Sequence, residues 1–284
     1  MAKKPGLFGR TYNALILLFL YVPIFVLVVF SFNSTKGRTW AGFTLDWYKQ
    51  LISDSSVLNA FYTTIAVSLI AAAAATVAGT FAAVGFHNMR RRWRAPLMQV
   101  NNIPLINADI ITGVSLSLLF VSLGAILKFE LGFGTLLIAH ITFNIPYVIL
   151  SVMPKLRQLD NNLVDAACDL GCTWIKAFRK VIIPEIMPGI INGMIIAFTM
   201  SVDDFVISYF TAGGNVMTLS MKIFAMTRKR ISPEINALST ILFLTVLALL
   251  IVINVREGRQ EEAIASQRRK TADRRNLKKR RITN

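Results

Sequence analysis

The chain has 284 residues, of which 54% are hydrophobic, and a mean hydropathy of +0.55. A soluble domain of this length does not need so much apolar surface for its core, so the composition argues against a soluble protein and predicts segments in contact with lipid. The 31 Lys and Arg residues outnumber the 15 Asp and Glu residues. These charges lie mainly between and beyond the apolar runs, which argues against a basic nucleic-acid-binding domain.

Apolar runs long enough to cross a bilayer, about 20 residues each, predict an all-α membrane protein with six transmembrane helices. The first run contains Tyr21 and Pro23 and has no Ala-x-Ala cleavage site, so we interpret it as a retained helix and not as a signal peptide. The chain then divides into an N-terminal segment at 1–10, a transmembrane domain at 11–255 and a basic tail at 256–284. The six runs are 11–32, 58–86, 99–127, 133–153, 188–210 and 236–255.

Basic residues near the ends of membrane helices predict the orientation, because they are retained in the cytoplasm. With six spans both termini lie on one side, and that side carries most of the 31 Lys and Arg residues. We therefore expect a multi-pass protein of the bacterial inner membrane with both termini in the cytoplasm. Lys222, Arg228, Lys229 and Arg230 lie on the outer side in the 211–235 loop, against the rule, and the sequence offers no reason for them.

The second predicted span is rich in small residues, among them Ala71 to Ala75, Gly79 and Ala83. Small side chains let helix backbones approach closely in a membrane, where no hydrophobic force separates helix from lipid. We interpret this stretch as a helix-packing surface. A stretch of small residues lining a pore would have the same composition.

No group of residues has the pattern of a catalytic or metal site. Cys168 and Cys172 stand four apart without further ligands, and we interpret them as packing residues. His87 and His140 are far apart in sequence, and no Gly-rich phosphate loop is present. The chain is therefore predicted not to be an enzyme. The basic cluster at 90–94 is interpreted as a topology anchor against anionic lipid and not as a binding site. The basic tail is interpreted as a solvated, partly helical extension near anionic lipid.

Three carboxylates, Asp109, Asp203 and Asp204, fall inside predicted spans, where an isolated charge costs at least about 2.5–3.5 kcal/mol. At about 1.5 Å per residue, Asp109 lies roughly 16 Å along the third span and Asp203 roughly 21 Å along the fifth, so both are near the middle of the bilayer. Adjacent residues of a helix point in different directions, so one of Asp203 and Asp204 is expected to meet substrate while the other pairs with a neighbouring helix. The alternative is that all three are buried contacts that hold the bundle together.

The residues before Asp109 favour a substrate path over such contacts. Asn101, Asn102, Pro104 and Asn107 are poor residues for a continuous membrane helix. Irregular backbone at membrane depth is tolerated only where it is buried in protein or lines a wet cavity. We therefore predict that the third span is broken or borders such a cavity.

The segment at about 160–188, between the fourth and fifth predicted spans, is expected to lie on the cytoplasmic surface. A short helix is predicted from about Asn162 to a stop at Gly171, followed by a second amphipathic helix that closes before Pro184. Two short helices across the membrane surface are suited to contact another protein.

This segment resembles the EAA loop of ABC importer permeases, in which Glu-Ala-Ala is followed by a Gly and then by an aliphatic residue and Pro. Asp165 stands where the family has Glu, which keeps the charge and shortens the side chain by one methylene. The resemblance implies that this loop docks onto an ATPase. The matching positions are Asp165, Ala166, Ala167, Gly171, Ile183 and Pro184.

A wider resemblance, over nearly the whole chain except the basic tail, is to the second permease subunit of spermidine/putrescine ABC importers. It implies the six-helix type I (MetI-like) permease fold, with alternating access driven by ATP hydrolysis in a partner. The implied partners are a homodimeric ATP-binding subunit, which binds ATP and Mg, a second homologous permease, and a periplasmic or lipid-anchored polyamine-binding protein. No cofactor is implied in this chain itself. The matching blocks are 31–34, 40–44, 47–48, 139–143, 198–204 and 232–238.

Two alternatives stay open at the level of sequence. One is an ABC importer permease for another small solute, which would share the EAA loop but not the block around Asp203 and Asp204. The other, less favoured, is an ATP-independent secondary transporter or channel, which would also place acids in mid-membrane helices. A nonenzymatic membrane scaffold fits the sequence least well.

Overall fold

A computed structural model describes residues 7–35, 39–229, 233–248 and 250–251. The predicted basic tail at 256–284, the first six residues and Arg230 lie outside the described residues. Within the described part, regular structure is helical apart from a single antiparallel bridge between Asn33 and Phe43.

Five of the helices are long and apolar enough to cross a membrane, namely α1, α3, α5, α6 and the helix that ends in α9, and a shorter apolar helix follows as α12. The predicted all-α transmembrane architecture is confirmed. The helices are α1 (Leu7–Phe30), α2 (Asp46–Ser53), α3 (Ser55–Asn88), α4 (Arg91–Ile106), α5 (Asp109–Leu127), α6 (Phe133–Gln158), α7 (Asn161–Asp169), α8 (Trp174–Ala177), α9 (Ile183–Asp203), α10 (Val206–Thr211), α11 (Leu219–Lys229) and α12 (Pro233–Ala248).

The third predicted span is broken, as its polar residues indicated. Helix α4 ends at Ile106, and Asn107 and Ala108 take extended conformations, with ψ angles of 149° and 136°. Helix α5 then starts at Asp109. The break therefore places the Asp109 carboxylate in the first turn of a new helix and not in the middle of a continuous one.

The fifth predicted span differs from the sequence prediction at both ends. The prediction that a helix closes before Pro184 is wrong: the helix runs from α8 through a π-helical turn at Phe178–Ile182 into α9. Proline lacks an N–H and crowds the preceding turn, and the wider π turn just before it accommodates both effects. At its other end the span stops early, because Asp204 is extended, with a ψ angle of 123°.

The core of the molecule lies where α3, α6 and α9 pack together. Ala71 and Ala75 of α3 are fully buried, and a Cβ atom added at Gly79 would come within 2.8 Å of the Val148 side chain of α6. A Cβ atom at Gly193 of α9 would likewise lie 3.2 Å from the Cα atom of Val148. The small residues of the second span are thus a helix-packing surface, as interpreted from the sequence.

One of the basic residues that conflict with the charge rule has a structural partner. Lys222 of α11 donates a hydrogen bond of 2.7 Å to the hydroxyl of Ser56, at the start of α3. The hydroxyl and the backbone N–H of Ser56 both donate to Asp54, and these bonds, with a smaller contribution from Lys222, hold the pKa of Asp54 below its usual range. Lys222 therefore fastens α11 to the capped end of α3.

Candidate functional site

The site is built around the interruption between α9 and α10. The Asp204 carboxylate accepts hydrogen bonds from the backbone N–H of Ser208 at 2.7 Å, from the Ser208 hydroxyl at 2.8 Å and from the backbone N–H of Ile207 at 3.3 Å. These are donors of the first turn of α10, which have no partner within the helix. Asp204 thus supplies the acceptor that the broken helix needs.

A histidine of a different helix completes this arrangement. His140 of α6 is fully buried, and its Nε2 atom lies 3.0 Å from the Ser208 hydroxyl and 3.5 Å from the Asp204 carboxylate. Its Nδ1 atom lies 2.5 Å from the hydroxyl of Ser201 in α9. We call His140, Ser201, Asp204 and Ser208 the buried polar network. It joins α6, α9 and α10 at the helix break.

The other two acids predicted from the sequence, Asp109 and Asp203, are exposed. Asp203 and Asp109 are both exposed, whereas the Asp204 side chain is only 8% exposed. Of the adjacent pair, Asp204 is therefore the one that contacts a neighbouring helix, and Asp203 is the more exposed one. That one of the two meets substrate stays a prediction.

The two helix breaks lie close together. A Cβ atom added at Gly113 of α5 would lie 3.4 Å from the backbone of both Val206 and Ile207 in α10, so the first turns of α5 and α10 are in close contact. The fold thus brings the helix that starts at Asp109 against the helix that follows Asp204, although 95 residues separate the two acids in the chain.

Sequence reasoning missed the buried polar network. In the sequence, His140 stands far from His87 and belongs to the matching block 139–143, while its partners Ser201 and Ser208 are 61 and 68 residues away. Its single sequence signal is its place on an apolar helix, where a polar side chain needs a partner. One turn further, the fully buried amide of Asn144 has no hydrogen-bond partner within the described part of the chain.

The segment that resembles an EAA loop forms the expected first helix. Helix α7 ends at Asp169, and Gly171 follows with a φ angle of +81°, a conformation that favours glycine. The N–H of Cys172 donates to the carbonyl of Ala167 at 3.1 Å, which is the bond pattern of a Schellman helix end. Asp165 and Ala166 are exposed on this helix, while Ile183 and Pro184 lie at the start of α9.

Residues 75–258 match the family described as binding-protein-dependent transport system inner membrane component. The match covers α6, α7 and both helix breaks. The chain belongs to this family. It also resembles two permeases of Escherichia coli (strain K12) over most of their length.

The first relative is the spermidine/putrescine transport system permease protein PotC, 38% identical over 83% of this chain and 87% of that protein. The second is the putrescine transport system permease protein PotI, 41% identical over 79% of this chain and 81% of that protein. PotC of Haemophilus influenzae is 34% identical over 82% of this chain and 90% of that protein.

Solved structures agree on the fold. A bacterial ABC transporter that imports the acidic polysaccharide alginate matches with a TM-score of 0.68 at 14% identity, covering 89% of this chain and 95% of that chain. The inward-facing MetNI methionine ABC transporter matches with a TM-score of 0.61 at 16% identity, covering 76% of this chain and 98% of that chain. The fold is that of type I ABC importer permeases.

We predict that Asp204 and Asp203 differ in their effect on stability. Asp204→Ala removes the acceptor of three hydrogen bonds and leaves buried donors unpaired, so we expect a loss of about 1–3 kcal/mol in the free energy of unfolding. Asp203→Ala, at the exposed neighbouring position, serves as the matched control and should leave stability unchanged. The measurement is the thermal unfolding midpoint of the purified protein in detergent. Equal midpoints for the two variants would show that Asp204 does not hold the break.

Proposed function

We propose that this chain is a permease subunit of an ATP-driven ABC importer that carries polyamines, such as spermidine and putrescine, across the bacterial inner membrane. The observation that carries the proposal is its similarity over most of its length to PotC and PotI, both permeases of polyamine transport systems. The open acids at the helix breaks are chemically suited to such a substrate, because a polycation leaving water needs negative charge to offset its desolvation.

In this proposal Asp109 and Asp203 face the substrate path, and Asp204 belongs to the frame that holds them. Both open carboxylates lie beside interrupted backbone, and such interruptions in a membrane occur where protein or a wet cavity surrounds them. The exposed carboxylates of Asp109 and Asp203 would attract an amine group of the substrate without enclosing it. Weak binding of this kind is what transport requires, since a tight site would retain the substrate.

The coupling of ATP hydrolysis in the partner to transport by this chain is assigned to the exposed side of α7. Leu170 is 87% exposed and Leu163 is 48% exposed, although both are apolar. With Asp165, Ala166 and Ala167 between them, they form a surface suited to a groove in an ATPase. The turn at Gly171 joins this surface to the helix that runs into α9. A displacement of α7 would therefore be transmitted along α9 and would move Asp203 and Asp204 at its end.

The remaining parts of the importer lie in other chains. We propose a homodimeric ATP-binding subunit that docks on α7 and holds ATP and Mg, a second homologous permease, and a periplasmic or lipid-anchored binding protein that delivers the polyamine. This chain then has no catalytic site of its own. The α7 segment and both termini are assigned to the cytoplasm, on the charge asymmetry of the sequence.

We predict that Asp109→Asn and Asp203→Asn each lower spermidine uptake by at least about tenfold per assembled importer, because they remove charge while keeping size and hydrogen bonding. Uptake is measured in proteoliposomes containing the complete importer and normalised to the amount of complex. Glu130→Gln, at an exposed acid away from the breaks, is the matched control and should transport normally.

Two results would contradict this proposal. Normal uptake per complex in both variants would exclude Asp109 and Asp203 from the path. Import of an amino acid or an oxyanion, with no import of spermidine or putrescine by the unmodified importer, would contradict the polyamine assignment.

We predict that Gly171→Leu abolishes uptake, because a leucine is strained at a φ angle of +81° and the turn after α7 is lost. Gly171→Asn is the matched control, since asparagine tolerates the left-handed conformation, and it should retain most of the uptake. Co-purification of the ATPase measures docking in the same preparations. Normal uptake and ATPase recovery with Gly171→Leu would contradict docking through α7.

A further inference from the structure

The first turn of α4 carries an uncompensated group of positive charges. Arg90, Arg91 and Arg92 are exposed, Arg94 is half-buried, and the guanidinium of Arg92 lies 5.9 Å from the ring centroid of Trp93. The salt bridges between described residues are formed by other side chains, Lys49 with Asp46 and His140 with Asp204. Four arginines in five residues without an acidic partner in the described chain repel one another unless an external anion compensates them.

Two other helices bring an arginine and a histidine to the same place. Helix α4 contacts both α3 and α6, and His87 lies in the last turn of α3 while Arg157 lies in the last turn of α6. The Nδ1 atom of His87 is buried and has no hydrogen-bond partner within the described residues. The end of α3, the start of α4 and the end of α6 therefore lie close together, and we call their arginines and His87 the basic patch.

Helix α4 also has an apolar face that the described residues leave exposed. Its inner face packs through Met98 against the core formed by α3, α6 and α9, yet no residue of α4 is buried. On its outer face Trp93 is 58% exposed, Val100 is 60% exposed and Ile103 is 58% exposed. These residues recur every three to seven positions and so form an apolar strip that starts at the arginines and runs away from them.

We propose that the basic patch and the apolar strip of α4 bind an anionic phospholipid. Its phosphate lies against the arginines and His87, and its acyl chains lie along the strip. Charge alone would also suit an acidic protein surface, but the order of the two features along α4 matches one molecule with an anionic head and apolar chains. Basic pockets between the cytoplasmic ends of membrane helices are suited to such headgroups.

A lipid bound in this position would influence the residues of the proposed substrate path through helix α4. Helix α4 is followed by the break at Asn107 and Ala108 and then by Asp109. Because α4 has few contacts of its own with the bundle, the bound lipid fixes its position and with it the start of α5. The composition of the membrane thereby acts on the geometry of the break.

The test is a titration of the complete importer, in phosphatidylcholine nanodiscs, with increasing fractions of phosphatidylglycerol. The thermal unfolding midpoint gives an apparent affinity for the anionic lipid. Arg91→Gln, Arg94→Gln and Arg157→Gln should each weaken this affinity about fivefold. Arg94→Lys keeps the charge and should retain most of the affinity, even if the Gln variant folds poorly.

Lys128→Gln, at an exposed lysine after α5, is the matched control and should leave the affinity unchanged. Equal weakening by Lys128→Gln and Arg94→Gln would overturn the proposal, as would a thermal midpoint of the unmodified importer that does not change with the fraction of phosphatidylglycerol. Loss of the ATPase subunit from the Arg variants with unchanged lipid affinity would also overturn it, because the arginines would then contact protein.

Discussion

The structure depends on one constraint, which is that backbone donors and acceptors in a membrane must find partners within the protein. Two of its spans are interrupted, at Asn107 and Ala108 and again at Asp204, and each interruption frees polar groups of the chain. At the second break the Asp204 carboxylate accepts the donors of the first turn of α10. The break is thus a stabilised feature, and the open carboxylate of Asp203 stands beside it.

The frame around the breaks is made of small residues and one buried polar network. Alanines and glycines bring α3, α6 and α9 close together, while His140 ties α6 to both sides of the break in the fifth span. In the proposed importer, a shift of α9 by an ATPase docked at α7 would move Asp203 relative to α5 and Asp109.

The sequence predicted the features that local patterns encode. Apolar length predicted the spans, Asn107 and its neighbours predicted the break before α5, and Gly171 predicted the end of α7. It did not predict that the helix continues through Pro184, because a π turn depends on how the helix packs and not on the residues alone. Nor could it say which of Asp203 and Asp204 is buried, since Asp204 lies against Ser208 of α10 and His140 of α6, and His140 is 64 residues away from it in the chain.

The most direct test of the account is whether position 203 lies in the substrate path. In an importer whose other cysteines are replaced by serine, Asp203→Cys should react with a cationic, membrane-impermeant thiol reagent, and spermidine should slow the reaction while an uncharged solute of similar length should not. A cysteine at Thr142, exposed on α6, is the control and should show no protection by spermidine. A cysteine at position 203 that reacts at the same rate with and without spermidine would contradict the account.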